Sequence, residues 1–168
     1  MVRIVEAVAS DELLKASALL REFPEHQREH YAAHARTVER YFDPIAYEDE
    51  VQHLTMKYGA PDGCVLLALD HDVAAGVVCL RRFDAEACEM KRLYVPVAQR
   101  RKGIAQALTL ALLDIARHKG YARMLLDTGA FMPEPQALYR KMGFTYTEPY
   151  YDVPEGLRGG LVFMRIHL

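Results

Sequence analysis

The sequence predicts an α/β fold built on a mixed, mainly antiparallel sheet of about 6–7 strands with helices on both faces. Three observations lead there. Apolar runs short enough to be strands recur at 64–69, 73–80 and 87–95. One segment, Ile104 to Ile115, repeats apolar residues every three or four positions, the mark of an amphipathic helix. Elements alternate along the chain as β, helices, three β, α, β, α, β, β, with no internal repeat or linker between them. All 168 residues are therefore read as a single domain.

Arg3 to Ala7 reads as the first strand. Ser10-Asp11-Glu12 resembles a helix N-cap with acids in the first turn, and the helix is expected to run to Phe23 and stop at Pro24. The polar, aromatic stretch 25–58 predicts one or two further helices with a mobile joint at Asp43-Pro44. Pro61-Asp62-Gly63 marks a turn. Cys64–Leu69 and Val73–Leu80 form a hairpin about Asp70-His71-Asp72. Gly76 inside the second of these strands signals a bulge or a close backbone approach. Ala87–Val95 is the next strand, and Pro96 ends it. Gly120 ends the amphipathic helix. Met124–Leu126 is a short buried strand. Pro135 and Gly143 bound a late helix, and Tyr146–Tyr151 and Gly160–His167 complete the sheet.

Bulk composition excludes several functions. Hydrophobic residues make up 51% and charged residues 26%, with a net charge of −2. That balance fits a folded domain and gives no electrostatic basis for nucleic acid or an anionic membrane as partner. Three cysteines, Cys64, Cys79 and Cys88, lack paired spacing and suit a reducing compartment. With no signal peptide and no apolar run of bilayer length, a cytoplasmic location is expected.

The most informative segment is Glu89–Ala105, EMKRLYVPVAQRRKGIA. A strand leads into a loop carrying Arg100, Arg101 and Lys102, and a helix starts after Gly103. The first turn of a helix has N–H groups without intrahelical partners. Gly103 admits a ligand close to the backbone, and the three cations add charge. Such a loop suits a diphosphate. Walker A and dinucleotide motifs are absent.

The R-x-x-G-x-A of Arg100–Ala105, with Leu93-Tyr94-Val95 before it and Ala137-Leu138-Tyr139-Arg140-Lys141-Met142-Gly143-Phe144 after it, resembles the GNAT superfamily of N-acetyltransferases. The resemblance implies that the fourth and fifth strands splay apart to admit acetyl-CoA as co-substrate. Backbone groups of Leu93, Tyr94 and Val95 are then expected to pair with the pantetheine arm. Arg100, Arg101, Lys102, Gly103, Ile104 and Ala105 are expected to hold the pyrophosphate. Two positions depart from the family pattern: Ala105, where many members have Gly, and Met132, near a common Asn.

Acyl transfer needs a neutral amine, a polarised carbonyl and a stabilised thiolate. The resemblance makes Tyr139 the acid for the leaving sulfur, and the Val95 N–H the donor to the thioester oxygen. The resemblance also makes Glu89 the candidate base, with a structural ion pair to Lys91 as the alternative; alternation puts Glu89, Lys91, Leu93 and Val95 on one face if no bulge intervenes. Cys88 then points away, so direct transfer in a ternary complex is preferred over an acyl-enzyme. His26, His30 and His34 recur every four residues and would share a face of one continuous helix, but nothing completes a ligand shell and no metal is expected. Tyr31, Tyr41, Phe42 and Tyr47 are expected to wall the acceptor groove, with Glu25, Asp43, Glu48, Asp49 and Glu50 favouring a cationic amine.

The expected function is acetyl transfer from acetyl-CoA to a primary amine of a small molecule, with a protein amine as a further possibility. The alternative is a non-catalytic acyl-CoA sensor. A homodimer is possible if the apolar strand Leu161–Ile166 pairs across an interface.

Overall fold

In the computed structural model, which describes residues 1–168, the sheet has seven strands in the order β1-β2-β3-β4-β5-β7-β6. They are β1 (Val2–Glu6), β2 (Cys64–Asp70), β3 (Val73–Arg82), β4 (Ala87–Tyr94), β5 (Arg123–Gly129), β6 (Thr145–Thr147) and β7 (Leu161–His167). Every neighbouring pair is antiparallel except β4 and β5, which run parallel. Helices α1 (Ser10–His30), α2 (Ala35–Tyr41), α3 (Pro44–Gln52) and α4 (Leu54–Tyr58) cover one face. Helices α5 (Ile104–His118) and α6 (Pro133–Lys141) cover the other. No helix is long and apolar enough to cross a membrane.

Two apolar cores sandwich the sheet, one on each face. On one side Leu108, Leu112 and Ala116 of α5 pack on Leu66, Val78 and Met124. On the other, Leu20 and Phe23 of α1 pack on Leu67, Val77 and Tyr94. Gly76 permits the first of these contacts. A Cβ there would lie 2.9 Å from Leu108 Cδ1 and 3.0 Å from Ile104 Cγ2, so α5 rests on bare backbone. The neighbouring shift in register between Ala68 and Leu69 is the expected bulge.

Several boundaries differ from the sequence reading. Helix α1 does not stop at Pro24 but continues to His30. Proline removes the N–H that would bond the Leu20 carbonyl, and the Tyr47 hydroxyl donates to that carbonyl at 2.7 Å instead. The cap also shifts by one residue: Glu12 accepts from the N–H groups of Val8 and Ala9, each at 3.2 Å. Asp43-Pro44 is a helix start, with Asp43 Oδ1 accepting from the Ala46 N–H at 3.0 Å. β6 covers only Thr145–Thr147; Tyr150 and Tyr151 leave the ladder and turn their hydroxyls under the sheet. β7 lies inside the sheet, paired along its whole length with β5 and at Phe163–Arg165 with β6.

The feature that positions the site is the parting of β4 from β5. They pair only at Ala87–Arg123, Cys88–Met124 and Glu89–Leu125. Beyond that point β4 stays with β3 and β5 stays with β7. A bulge bends β4 at the same place. Three steps along it, from Lys91 to Tyr94, face two steps along β3, from Cys79 to Val77, and Arg92 takes a left-handed φ of 63°.

Candidate active site

The gap between β4 and β5 opens into a cleft of about 520 Å³. It is lined by α1 and α2 on one side, by the start of α5 and by α6 on the other, and by Met90–Val95 and Leu126–Gly129 between them.

At one end lies the loop before α5. Arg101 (φ 65°) and Gly103 (φ 74°) are both left-handed, which turns successive N–H groups toward one point. The first backbone bond of the helix is Ala107 N–H to the Gly103 carbonyl, at 3.0 Å. The N–H groups from Arg101 to Gln106 have no acceptor in the protein. A Cβ on Gly103 would meet no atom within 4 Å, so the space above it is open. Arg100 anchors the loop: its Nε donates to the Val95 carbonyl at 3.0 Å and its Nη2 lies 2.7 Å from His26 Nε2. Burial, then the nearby Arg100 charge, pushes the His26 ring below its ordinary value. Lys102 reaches away to Gln99 and Asp70 and does not line the cleft.

The bulge changes which side chains share a face. Lys91 and Tyr94 point to the α1 side, whereas Leu93 and Val95 join the α5 core. The expected alternation of Glu89, Lys91, Leu93 and Val95 on one face is therefore broken at Arg92. That arginine is clamped. Its guanidinium donates to Glu50 at 2.8 and 3.0 Å and lies 4.9 Å from the Tyr47 ring centre. Burial opposes the Glu50 charge, but Arg92, Lys57 and Tyr58 outweigh it and hold this carboxyl far below the usual range.

The middle of the cleft carries a polar cluster on its floor. Asp127 accepts from the hydroxyls of Tyr41 at 2.5 Å and Tyr151 at 2.7 Å, with Lys91 Nζ 3.4 Å away. Lys91 also donates to the Tyr41 oxygen at 2.9 Å. Burial alone would raise the Asp127 carboxyl; Lys91 and the two hydroxyls pull it below its ordinary value. Burial above all raises the Tyr41 phenol.

Glu89 touches this cluster through Lys91 Nζ, 3.9 Å away, but does not line the cleft. It is completely buried, held by Arg81 at 2.6 Å and by the Tyr150 hydroxyl at 2.5 Å. Tyr139 does line the cleft. It is 6% exposed, its hydroxyl makes no hydrogen bond to the protein, and burial raises its phenol, so it keeps its proton. Cys88 is sealed in the α5 core, and burial pushes its thiol up to about 12.

Of the expected acceptor walls, Tyr31, Tyr41 and Phe42 line the cleft, whereas Tyr47 is packed behind Arg92. None of Glu25, Asp43, Glu48, Asp49 and Glu50 lines it. Glu48 pairs with Arg21, and Glu50 with Arg92. The acids that reach the cleft are Asp127 and Glu134. The three histidines do not share one helix face, because α1 ends at His30. His34 stacks on Phe131 at 4.2 Å, while His26 and His30 lie side by side.

The sheet parts at its fourth and fifth strands, and a run of free amides stands at the mouth of the gap. Comparison with known proteins gives this architecture its name. The model of the Acetyltransferase (GNAT) family matches residues 19–144, and the chain belongs to that family. It is 36% identical over 123 residues to an uncharacterized N-acetyltransferase of Schizosaccharomyces pombe, covering 72% of this chain and 74% of that protein. It is 34% identical over 104 residues to human N-acetyltransferase 8, covering 58% of this chain and 46% of the human protein. Among solved structures, an acetyltransferase from Streptococcus agalactiae superposes with a TM-score of 0.76 at 17% identity, covering 99% of this chain and 98% of that one. The PaiA N-acetyltransferase of Thermoplasma acidophilum, solved with coenzyme A, superposes with a TM-score of 0.73 at 18% identity, covering 100% and 99%. These likenesses bear out the fold expected from the motifs.

Proposed function

We propose that this protein transfers the acetyl group of acetyl-CoA to the primary amine of a small molecule, by direct attack while both are bound. The observation that carries the reading is the run of unpartnered N–H groups from Arg101 to Gln106, opening on the cleft between β4 and β5. Those amides, the start of α5 and the side chains of Arg100 and Arg101 hold the diphosphate. Lys102 adds long-range charge only. The free edge of β4 at Leu93, Tyr94 and Val95 pairs with the amides of the pantetheine arm like an added strand.

The reacting groups follow from the cleft. The Val95 N–H, which has no acceptor in the protein, donates to the thioester oxygen as negative charge builds there. The amine nitrogen forms a bond to the carbonyl carbon, and the carbon–sulfur bond then breaks with its electrons moving to sulfur. The Tyr139 hydroxyl gives its proton to that sulfur and regains one from solvent as the products leave. The proton released by the amine passes to the Tyr41 oxygen as the Tyr41 proton moves to Asp127, 2.5 Å away, and Asp127 returns it to solvent at the same stage. In this reading Asp127 replaces Glu89 as the end point of the proton. Glu89, enclosed by Arg81 and Tyr150, positions the Tyr150–Tyr151 segment and through it Asp127.

The test is thiol release from acetyl-CoA over a panel of amines, with mass detection of the acetylated product. Amine-dependent release is expected in the wild type. Binding of acetyl-CoA without turnover of any amine would instead assign the chain as an acyl-CoA sensor.

A further inference from the structure

The side-chain oxygen Oε1 of Gln27 is fully enclosed and has no hydrogen-bond partner in the protein. Gln27 is 7% exposed, lies one turn from the end of α1 and lines the cleft. Neither end of its amide is bonded to the protein. Buried polar groups are nearly always paired, so an unpaired amide at the wall of a binding cleft is a group kept for a ligand.

Its position says which part of the ligand. Gln27 sits one helical turn beyond Phe23 and one before Tyr31, on the α1 wall. Phe23 and Phe42 there belong to the core on the α1–α4 face of the sheet. Tyr41, Lys91 and Asp127 meet the cleft from the same side. Tyr139, which meets the leaving sulfur, belongs to the opposite core. The donor's backbone partners are on β4 and at the start of α5. His26 of α1 meets the donor loop through Arg100; the α1 wall beyond it, from Gln27 to Tyr31, is left for the acceptor.

We infer that Gln27 is an acceptor-recognition residue, whose carboxamide oxygen accepts a hydrogen bond from a neutral N–H or O–H group carried by the acceptor beside its reacting amine. The acceptor class is thus an amino alcohol or amino amide in preference to a plain alkylamine, with its apolar part against Tyr31, Phe42 and Phe131. The inference rests on the acetyl-transfer reading above. A site built around such a group discriminates strongly against analogues that lack it, because the protein's own polar atom is then left unpaired.

The experiment compares wild type with Gln27→Met, which keeps volume and removes the amide. Acceptors are matched pairs: an amino alcohol or amino amide, and the alkylamine of equal heavy-atom count. Wild type is expected to favour the donor-bearing member by about tenfold or more in kcat/KM, and Gln27→Met to bring the ratio within about threefold. Calorimetric affinity for CoA is expected to be the same in both proteins, and the melting temperature of Gln27→Met to be equal or higher. An unchanged acceptor ratio overturns the inference. So does a loss confined to CoA affinity, which would give the amide to the pantetheine arm. If wild type binds CoA yet turns over no amine, the transferase reading falls and this one with it; turnover with an unaltered ratio removes this inference alone.

Discussion

The two ends of the cleft are built on opposite principles. At the mouth, the binding groups are backbone amides that stand free, arranged by two left-handed residues and a helix start. On the floor, the binding groups are side chains that are already paired: Asp127 with Tyr41, Tyr151 and Lys91, and Arg92 with Glu50. Free amides cost little when water can reach them and meet an anion without rearrangement. Buried charges must be paired before any ligand arrives, or the fold does not tolerate them. Damage at the mouth should therefore appear as lost affinity, and damage on the floor as lost stability or lost turnover.

The largest effect is expected where the floor loses a charge. Glu50→Ala leaves Arg92 buried without its partner beside the β4 bulge and should lower unfolding free energy by about 4 kcal/mol, read from urea denaturation. A loss below about 1 kcal/mol, the range of exposed pairs, would erase the contrast. Tyr139→Phe removes a hydroxyl with no partner in the protein, so the melting temperature should hold while kcat falls by roughly 300-fold. A fall in stability without a fall in turnover would make it a packing residue. At the mouth, Gly103→Asp places a side chain and a negative charge at the site proposed for the diphosphate. It should weaken CoA binding about 100-fold with folding retained; equal affinity would remove the loop from the site.

Acid sharpens the same contrast. The Glu50 and Asp127 carboxyls are both held below their ordinary values in the folded protein. The stability they contribute is present above the unfolded carboxylate range near 4 and is lost as pH falls toward the folded values. A decline of about 2 kcal/mol between pH 5 and pH 3 is expected, and it should shrink in Glu50→Gln. The smallest effect belongs to Gly103→Ala. Its Cβ meets nothing, so only the left-handed backbone is penalised, by about 1 kcal/mol.

The same division explains what could be read from the chain. The mouth is local: strand, basic loop, glycine and amphipathic helix lie within seventeen positions of one another, Glu89 to Ala105, and each has a periodic or conformational signature. The parted strands followed from the resemblance carried by those residues. The floor is not local. Tyr41 and Asp127 are 86 positions apart, and Glu89 and Tyr150 are 61, so no spacing rule joins them. Nothing near Glu89 in the sequence foretells that Arg81 and the distant Tyr150 enclose its carboxylate. Tyr150 and Tyr151 read as strand residues, although Pro149 just before them was a signal that the ladder ends. Pro24 misled in the other direction, because the Tyr47 hydroxyl that rescues the Leu20 carbonyl comes from a different helix.

The central claim is that the amides from Arg101 to Gln106 receive the diphosphate of the donor. The direct measurement is an NMR titration resolving those amides, with CoA in one series and pantetheine, which has no diphosphate, in the other. CoA should shift this run as a block while pantetheine leaves it in place and perturbs Leu93 to Val95. If CoA leaves the run unmoved, or pantetheine shifts it equally, the anion is held elsewhere and the account is wrong.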